Sequence, residues 1–375
     1  MRVFGQNCLE ILLLIVKNRS IFLTLVLSVY LYSFFYPAAY QAQHAEHVPI
    51  VIVDQEQSPL TQKIIQTAKH SPSIEVVAIT EQYGDAFKLV QTNQAEGILY
   101  LPHNLSTSIH HGDCGGIGIY LSAAYFLRTQ QAGLGLADSL QALLSQELEK
   151  FTQIHHKIPH APVHKIPLFN PLSGYGSYVF AAVAPLIVHQ TLLLGVGMMI
   201  TQIRQQQRRL SPHRLFAIFA VVGVIGVLSC FYLFGFAFWW HDYPRGGNFI
   251  GMVLTSVLFV YGVIALALFM ASFFDMAERV GQVLIFSSVP LFLLSGVVYP
   301  LAAMPPMLAW FARLLPSTQG ILAFVQFNQM GVAIADVLPK LVYLAITMLI
   351  FTMLAIWRLC FCSNHPTRYK RPYEI

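Results

Sequence analysis

The chain has 375 residues, of which 56% are hydrophobic and only 10% charged, against about 45 to 50% apolar and about 25% charged in an ordinary soluble domain. A water-soluble globule is therefore excluded, and because the apolar residues come in long blocks, so are intrinsic disorder, collagen and coiled coil. The net charge of +5 has no basic run interleaved with aromatics behind it, which removes nucleic acid as a partner, and the five scattered cysteines (Cys8, Cys114, Cys230, Cys360 and Cys362) make no disulfide framework.

A hydrocarbon core about 30 Å thick needs ~20 apolar residues in a helix rising 1.5 Å each, and six uncharged windows approach that length. In chain order, residues 1–19 read as an amphipathic helix on the cytoplasmic membrane surface, since Ile11 to Val16 is apolar but too short to cross. Residues 20–38 form the first window. Its apolar region exceeds the usual ~7 to 15 residues of a signal peptide and no small-x-small site follows, so an uncleaved anchor is expected.

Residues 43–166 read as an exterior α/β domain. Val48 to Val53 is a β-branched run, and Ser58-Pro59 offers an N-cap and a proline for the first helical position. Leu60, Ile64, Ile65 and Ala68 then share one helical face. Ile74 to Ile79 is a second strand, Tyr83, Ala86, Phe87 and Val90 mark a second helix, and Gly97 to Leu101 and Ile117 to Leu121 are further strands. This order predicts a small, partly parallel sheet with helices packed on it. Leu136, Leu140, Leu143, Leu144, Leu148 and Phe151 then recur at helical spacing, as core or as contact with a partner helix. Pro159, Pro162, Pro167 and Pro171 end regular structure before the membrane.

The remaining windows, Ser177 to Ile200, Leu215 to Trp240, Asn248 to Phe273, Gly281 to Met304 and Leu341 to Trp357, contain no Asp, Glu, Lys or Arg. One such residue at mid-bilayer would cost about 2.5 to 3.5 kcal/mol. The predicted fold class is thus an α-helical membrane protein with six transmembrane helices, helices 2–6 lying in residues 177–358, and a cytoplasmic tail at 359–375. With the N-terminus inside, twelve basic residues and four acids fall on the inner segments, leaving them at +8 and the outer segments at −3. That bias puts both termini in the cytoplasm.

No lysine is followed by Ser or Thr, so a G-x-x-x-x-G-K-[ST] phosphate loop is absent and the chain cannot be its own ATPase in that style. The acids are confined to surface segments, which leaves no paired-carboxylate or Ser-His-Asp site and predicts a protein that is not itself an enzyme. Two outer histidine groups, His110, His111, Asp113 and Cys114, and His156, His160 and His164, can be drawn as metal ligands; the prolines in the second group break the helix that would align it, and solvated loop histidines are expected. His189 lies inside the second window beside Gln190 and is a functional candidate or a packing partner for a neighbouring helix. The fifth window carries Pro290, Gly296 and Pro300, breakers tolerated at membrane depth only where protein or a cavity satisfies the freed backbone. Beyond it, residues 305–331 read as two short re-entrant or interfacial helices.

Ser295-Gly296-Val297-Val298-Tyr299-Pro300, then Met304-Pro305, Leu308, Leu315-Pro316 and Thr318, resembles the S-G-x-x-x-P, M-P and L-P-x-T pattern of ABC-2 type permeases. Val53-Asp54 with Ser58-Pro59-Leu60, and Phe169-Asn170-Pro171 with Pro185, look like that family's drug-export branch, which carries a large exterior domain between its first two membrane helices. The resemblance implies an inner-membrane exporter subunit in bacteria that dimerises with a second permease subunit, identical or not, and is driven by a separate ABC ATPase holding ATP and Mg, with no cofactor on this chain. In such relatives a periplasmic adaptor and an outer-membrane channel often complete the route. Relatives carry an R-E-K-E-x-G-T-like segment after the second helix; here Arg204-Gln205-Gln206-Gln207-Arg208-Arg209-Leu210-Ser211-Pro212 takes that place. By the resemblance, Arg204, Arg208, Arg209 and Pro212 are expected to couple to the ATPase, and Ser295, Gly296, Pro300, Met304, Pro305 and Pro316 to form the outer gate scaffold. The competing reading, a membrane-anchored receptor or assembly factor, leaves the broken helices unexplained; a secondary transporter would want intramembrane acids and an internal repeat.

Overall fold

A computed structural model describes residues 2–39, 46–110, 116–122, 126–152, 169–170, 174–206, 210–274 and 276–362, in two compact units. Among the described residues five helices are long and apolar enough to cross a membrane, six if one bent pair counts as a span.

The smaller unit, formed mainly by residues 42–167, is a three-layer α/β fold. Its four-stranded sheet has the order β2-β1-β3-β4, with β1 (Val48–Asp54) parallel to β2 (Ile74–Thr80) and to β3 (Gly97–Leu101), and β4 (Gly118–Leu121) antiparallel at the edge. The unbroken apolar run of β1 follows from its central place. Val48, Ile50 and Ile52 pack beneath α3 (Pro59–His70) and α6 (Phe126–Thr152), whereas Val51 and Val53 pack beneath α4 (Tyr83–Gln91) on the other face. α3 starts where the Ser58 side chain accepts from the Thr61 backbone and Thr61 returns the contact, with Pro59 in the first turn. Of the expected face of α4 only Ala86 is buried. Tyr83 and Phe87 lie outward and stack on each other, because a nine-residue helix covers only the narrow strip over Val51, Val53 and Ile98. α5 (Leu105–His110) adds Leu105 to the same core, and in α6 Leu136 and Leu140 enter it while Leu143 and Leu144 flank it.

The larger unit holds the apolar helices. α1 (Arg2–Lys17) buries Ile11 and Ile15 and packs along α8 (Pro212–Trp240). α2 (Arg19–Ala38) begins at the Asn18 cap and contains a π turn at Leu23–Leu27. α7 (Tyr175–Gln206) is apolar on every side and accordingly lies inside, with 83% of its hydrophobic window buried. α9 (Phe249–Ala271) packs against α8, α12 (Pro316–Asn328) and α13 (Ile334–Phe361); α13 itself is 22% buried over its window and lies at the periphery.

α10 (Ala277–Leu293) occupies the fifth window and has 17 residues. At 1.5 Å per residue it reaches about 26 Å, short of a ~30 Å core, so the window is completed by irregular backbone. That backbone leads to α11 (Pro306–Arg313), which meets α12 at 78° across a short break.

Candidate functional site

The residues singled out by sequence fall at the two ends of the larger unit. At one end the basic residues gather. The Arg204 guanidinium, on the last turns of α7, donates to the carbonyls of Ser272 at 2.8 Å and Phe274 at 3.4 Å, which are orphan acceptors just past α9. Arg358 of α13 lies 3.8 Å over the Phe273 ring, a cation–π contact. Leu210 N–H reaches the Leu359 carbonyl at 3.4 Å, which ties the residue just before the Ser211 cap to α13. Pro212 opens α8 behind a Ser211 cap, and Arg214 approaches Glu10 of α1 at 3.8 Å. Arg208 and Arg209 lie outside the described residues, as do His111, Asp113, Cys114, His156, His160 and His164; of His110 the backbone alone is described. Among the described residues no three or more His, Cys, Asp or Glu side chains are placed to hold a metal ion.

At the opposite end, Ser295, Gly296, Pro300, Met304, Pro305 and Pro316 belong to one local assembly. Ser295 is fully buried, and its hydroxyl accepts from Val297 N–H at 3.4 Å. Gly296 has φ +80°, a left-handed conformation that L side chains avoid. Pro300 precedes a 3-10 turn, Leu301–Ala303, and Met304 packs on Ala309 and Ala312 with Leu294 and Leu301 beside them. Pro305 precedes α11, and the buried Pro316 starts α12. Two hydrogen bonds fasten the assembly: Thr318 Oγ1 donates to Leu294 O at 3.1 Å, and the Tyr178 hydroxyl of α7 donates to Val297 O. The backbone freed where α10 ends is thus satisfied by side chains from neighbouring helices.

Between the ends, His189 of α7 is 1% exposed, with its ring 6.1 Å from that of Phe259 in α9. Its Nδ1 has no hydrogen-bond partner among the described residues, nor has Gln190 Nε2, Thr255 Oγ1 or Ser317 Oγ.

Three contributors escaped the sequence reading. The Asn18 amide donates to Gln202 Oε1 at 2.8 Å, pinning the start of α2 to α7; Glu278 stands in the first turn of α10; and the carbonyls of Ser272 and Phe274 receive Arg204. Asn18, between Lys17 and Arg19 before an apolar run, carries the pattern of a helix cap and could have been found. The carbonyls could not, because backbone acceptors leave no mark in side-chain pattern.

No curated protein and no solved structure matches this chain. The family model for ABC-2 family transporter proteins matches residues 19–357, nearly the whole chain and both ends of the larger unit. The chain therefore belongs to the ABC-2 transporter family and is a multi-pass membrane permease of that type.

Proposed function

We propose that the chain is the membrane-spanning half of a bacterial inner-membrane exporter that moves an amphipathic or hydrophobic, drug-like or lipid-like molecule outward. A separate ABC ATPase supplies the energy, and a second permease subunit, the same or a different chain, completes the pathway. Both termini and the basic end face the cytoplasm in this reading, and the smaller unit faces the periplasm, where an adaptor and an outer-membrane channel would receive the cargo.

The observation that carries it is the convergence at the basic end. α1 meets Arg214 at the start of α8, Arg204 joins α7 to the end of α9, and Leu210, two residues before α8, bonds to α13. Force from an ATPase on α1 or on residues 204–212 would therefore reach four helices at once. Moving a two-state packing from 1:99 to 99:1 takes about 5.5 kcal/mol of differential binding, so the lever must be stiff. Replacing residues 205–211 with a Gly-Ser chain, with Arg204 kept, is expected to abolish ATP-driven export of hydrophobic dyes from inverted vesicles while the protein still inserts. Normal export by that variant refutes the coupling role, and failure of the chain to copurify with any nucleotide-binding subunit refutes the exporter.

A further inference from the structure

A cavity of about 440 Å³ opens at the basic end between the start of α2, the last turns of α7 and the first turn of α10. That size lies within the ~300 to 1,000 Å³ of ligand pockets. Its lining is two-sided: Asn18, Gln202, Gln205 and Glu278 are polar, whereas Leu194 and Met198 are apolar. The Asn18 to Gln202 hydrogen bond holds α2 to α7, and Gly281 brings α10 near Leu194, where a Cβ would stand 4.0 Å from Leu194 Cδ1. Glu278 is the one charged side chain among the lining residues and has no ion-pair or hydrogen-bond partner among the described residues. Its neighbour Arg279, and Lys17 and Arg19 on either side of Asn18, are not part of the lining, so the lining carries a single formal charge and that charge is negative.

We propose that this cavity admits a cationic amphiphile from the adjoining leaflet, its charged head against Glu278 and its apolar body along Leu194 and Met198. The inference rests on the exporter reading and names the charge class of its substrate. A carboxylate at the cavity rim attracts a cation and repels an anion of equal shape, an effect that the water reaching the exposed Glu278 reduces without abolishing. Glu278 also complements the positive end of α10, a role that would affect stability without affecting ligand charge.

The test measures binding to the full chain in nanodiscs of three probes: tetraphenylphosphonium, its isosteric anion tetraphenylborate, and uncharged Nile red. Glu278→Gln is expected to weaken the phosphonium about tenfold, to change Nile red less than about twofold and to strengthen the borate. Met198→Trp, which fills the apolar wall, is expected to weaken the phosphonium and Nile red together. Equal phosphonium affinity in wild type and Glu278→Gln overturns the inference, as does a preference of the wild type for the borate. If inverted vesicles holding the chain with its ATPase export Nile red yet Glu278→Gln leaves phosphonium binding unchanged in nanodiscs, the inference alone fails. If the wild type neither binds nor exports any of the three, the exporter reading fails with it.

Discussion

Gly320 of α12 lies against the Phe259 ring of α9 so closely that a methyl group at position 320 would collide with ring carbons. Phe259 is 1% exposed and cannot swing aside, because the Phe324 ring stands edge-on to it at 5.4 Å and the His189 ring at 6.1 Å. Gly320→Ala gains about 1 kcal/mol of helix propensity and loses about 1 to 3 kcal/mol to overpacking, so the loss is expected to win. The melting temperature of the purified chain should fall by a few degrees. Phe259→Leu in the same chain should restore part of it, and a Gly320→Ala protein that melts at or above wild type contradicts the packing described.

Arg204 illustrates a charge with a structural duty. Its two carbonyl partners lie just past α9, and hydrogen bonds from a charged donor contribute about 1.5 to 3 kcal/mol. Arg204→Ala should lower the melting temperature by several degrees. Arg204→Lys should recover less than half of the loss, because an ammonium on a flexible stem cannot reach two carbonyls in the planar fork of a guanidinium. Full recovery with lysine, read by the same melts, argues against the two-carbonyl geometry.

Much of this architecture is written locally and some of it is not. Ser58-Pro59 announces α3 because a cap and a first-turn proline act within four residues, and the run from Val48 announces a central strand because both its faces are covered. Tyr83 and Phe87 mislead, since helical spacing tells which residues share a face but not how wide a strip of sheet that face can cover. Asn18 with Gln202, Arg204 with Ser272, and Gly320 with Phe259 pair residues 184, 68 and 61 positions apart, beyond the reach of any periodic pattern. The early stop of α10 is intermediate: Gly296 and Pro300 mark a break, but that Thr318 and Tyr178 satisfy it emerges only in three dimensions.

Asp54, at the end of β1, anchors the smaller unit. It is 6% exposed; its Oδ1 accepts from Gln57 N–H at 2.9 Å and Glu56 N–H at 3.2 Å, and its Oδ2 accepts from the Thr61 hydroxyl at 2.9 Å. Asp54→Ala leaves these donors short of an acceptor and should cost about 2 to 3 kcal/mol. Hydrogen exchange on the full chain should show faster amides at residues 55–61, with the membrane helices unchanged. Unaltered protection there contradicts the anchoring role.

Gly296 presents a sterically defined test of the outer assembly. At φ +80° any L residue is strained by about 1 to 2 kcal/mol, and an added Cβ would approach Leu301 Cγ to 3.0 Å. Gly296→Ala should insert into the membrane and bind an ATPase partner, yet export more slowly, because the turn that joins α10 to α11 is forced out of its conformation. Dye export from inverted vesicles, normalised to the amount of inserted protein, checks this. A rate equal to wild type removes Gly296 from the gate scaffold.

His189 separates stability from function. Its Nδ1 has no partner among the described residues, and replacing a buried polar group by an apolar one of similar size removes the desolvation cost, so His189→Leu should melt at the same temperature or a few degrees higher. A side chain kept at such a cost, facing the Phe259 ring that itself holds α9 to α12, is expected to matter when the helices repack. The predicted signature is therefore a stable variant with export reduced at least about fivefold, in a melt and a vesicle assay run on one preparation. If export stays normal while stability rises, His189 is a packing residue and transport does not pass through it; if stability falls sharply, its ring has a partner that the present arrangement does not contain.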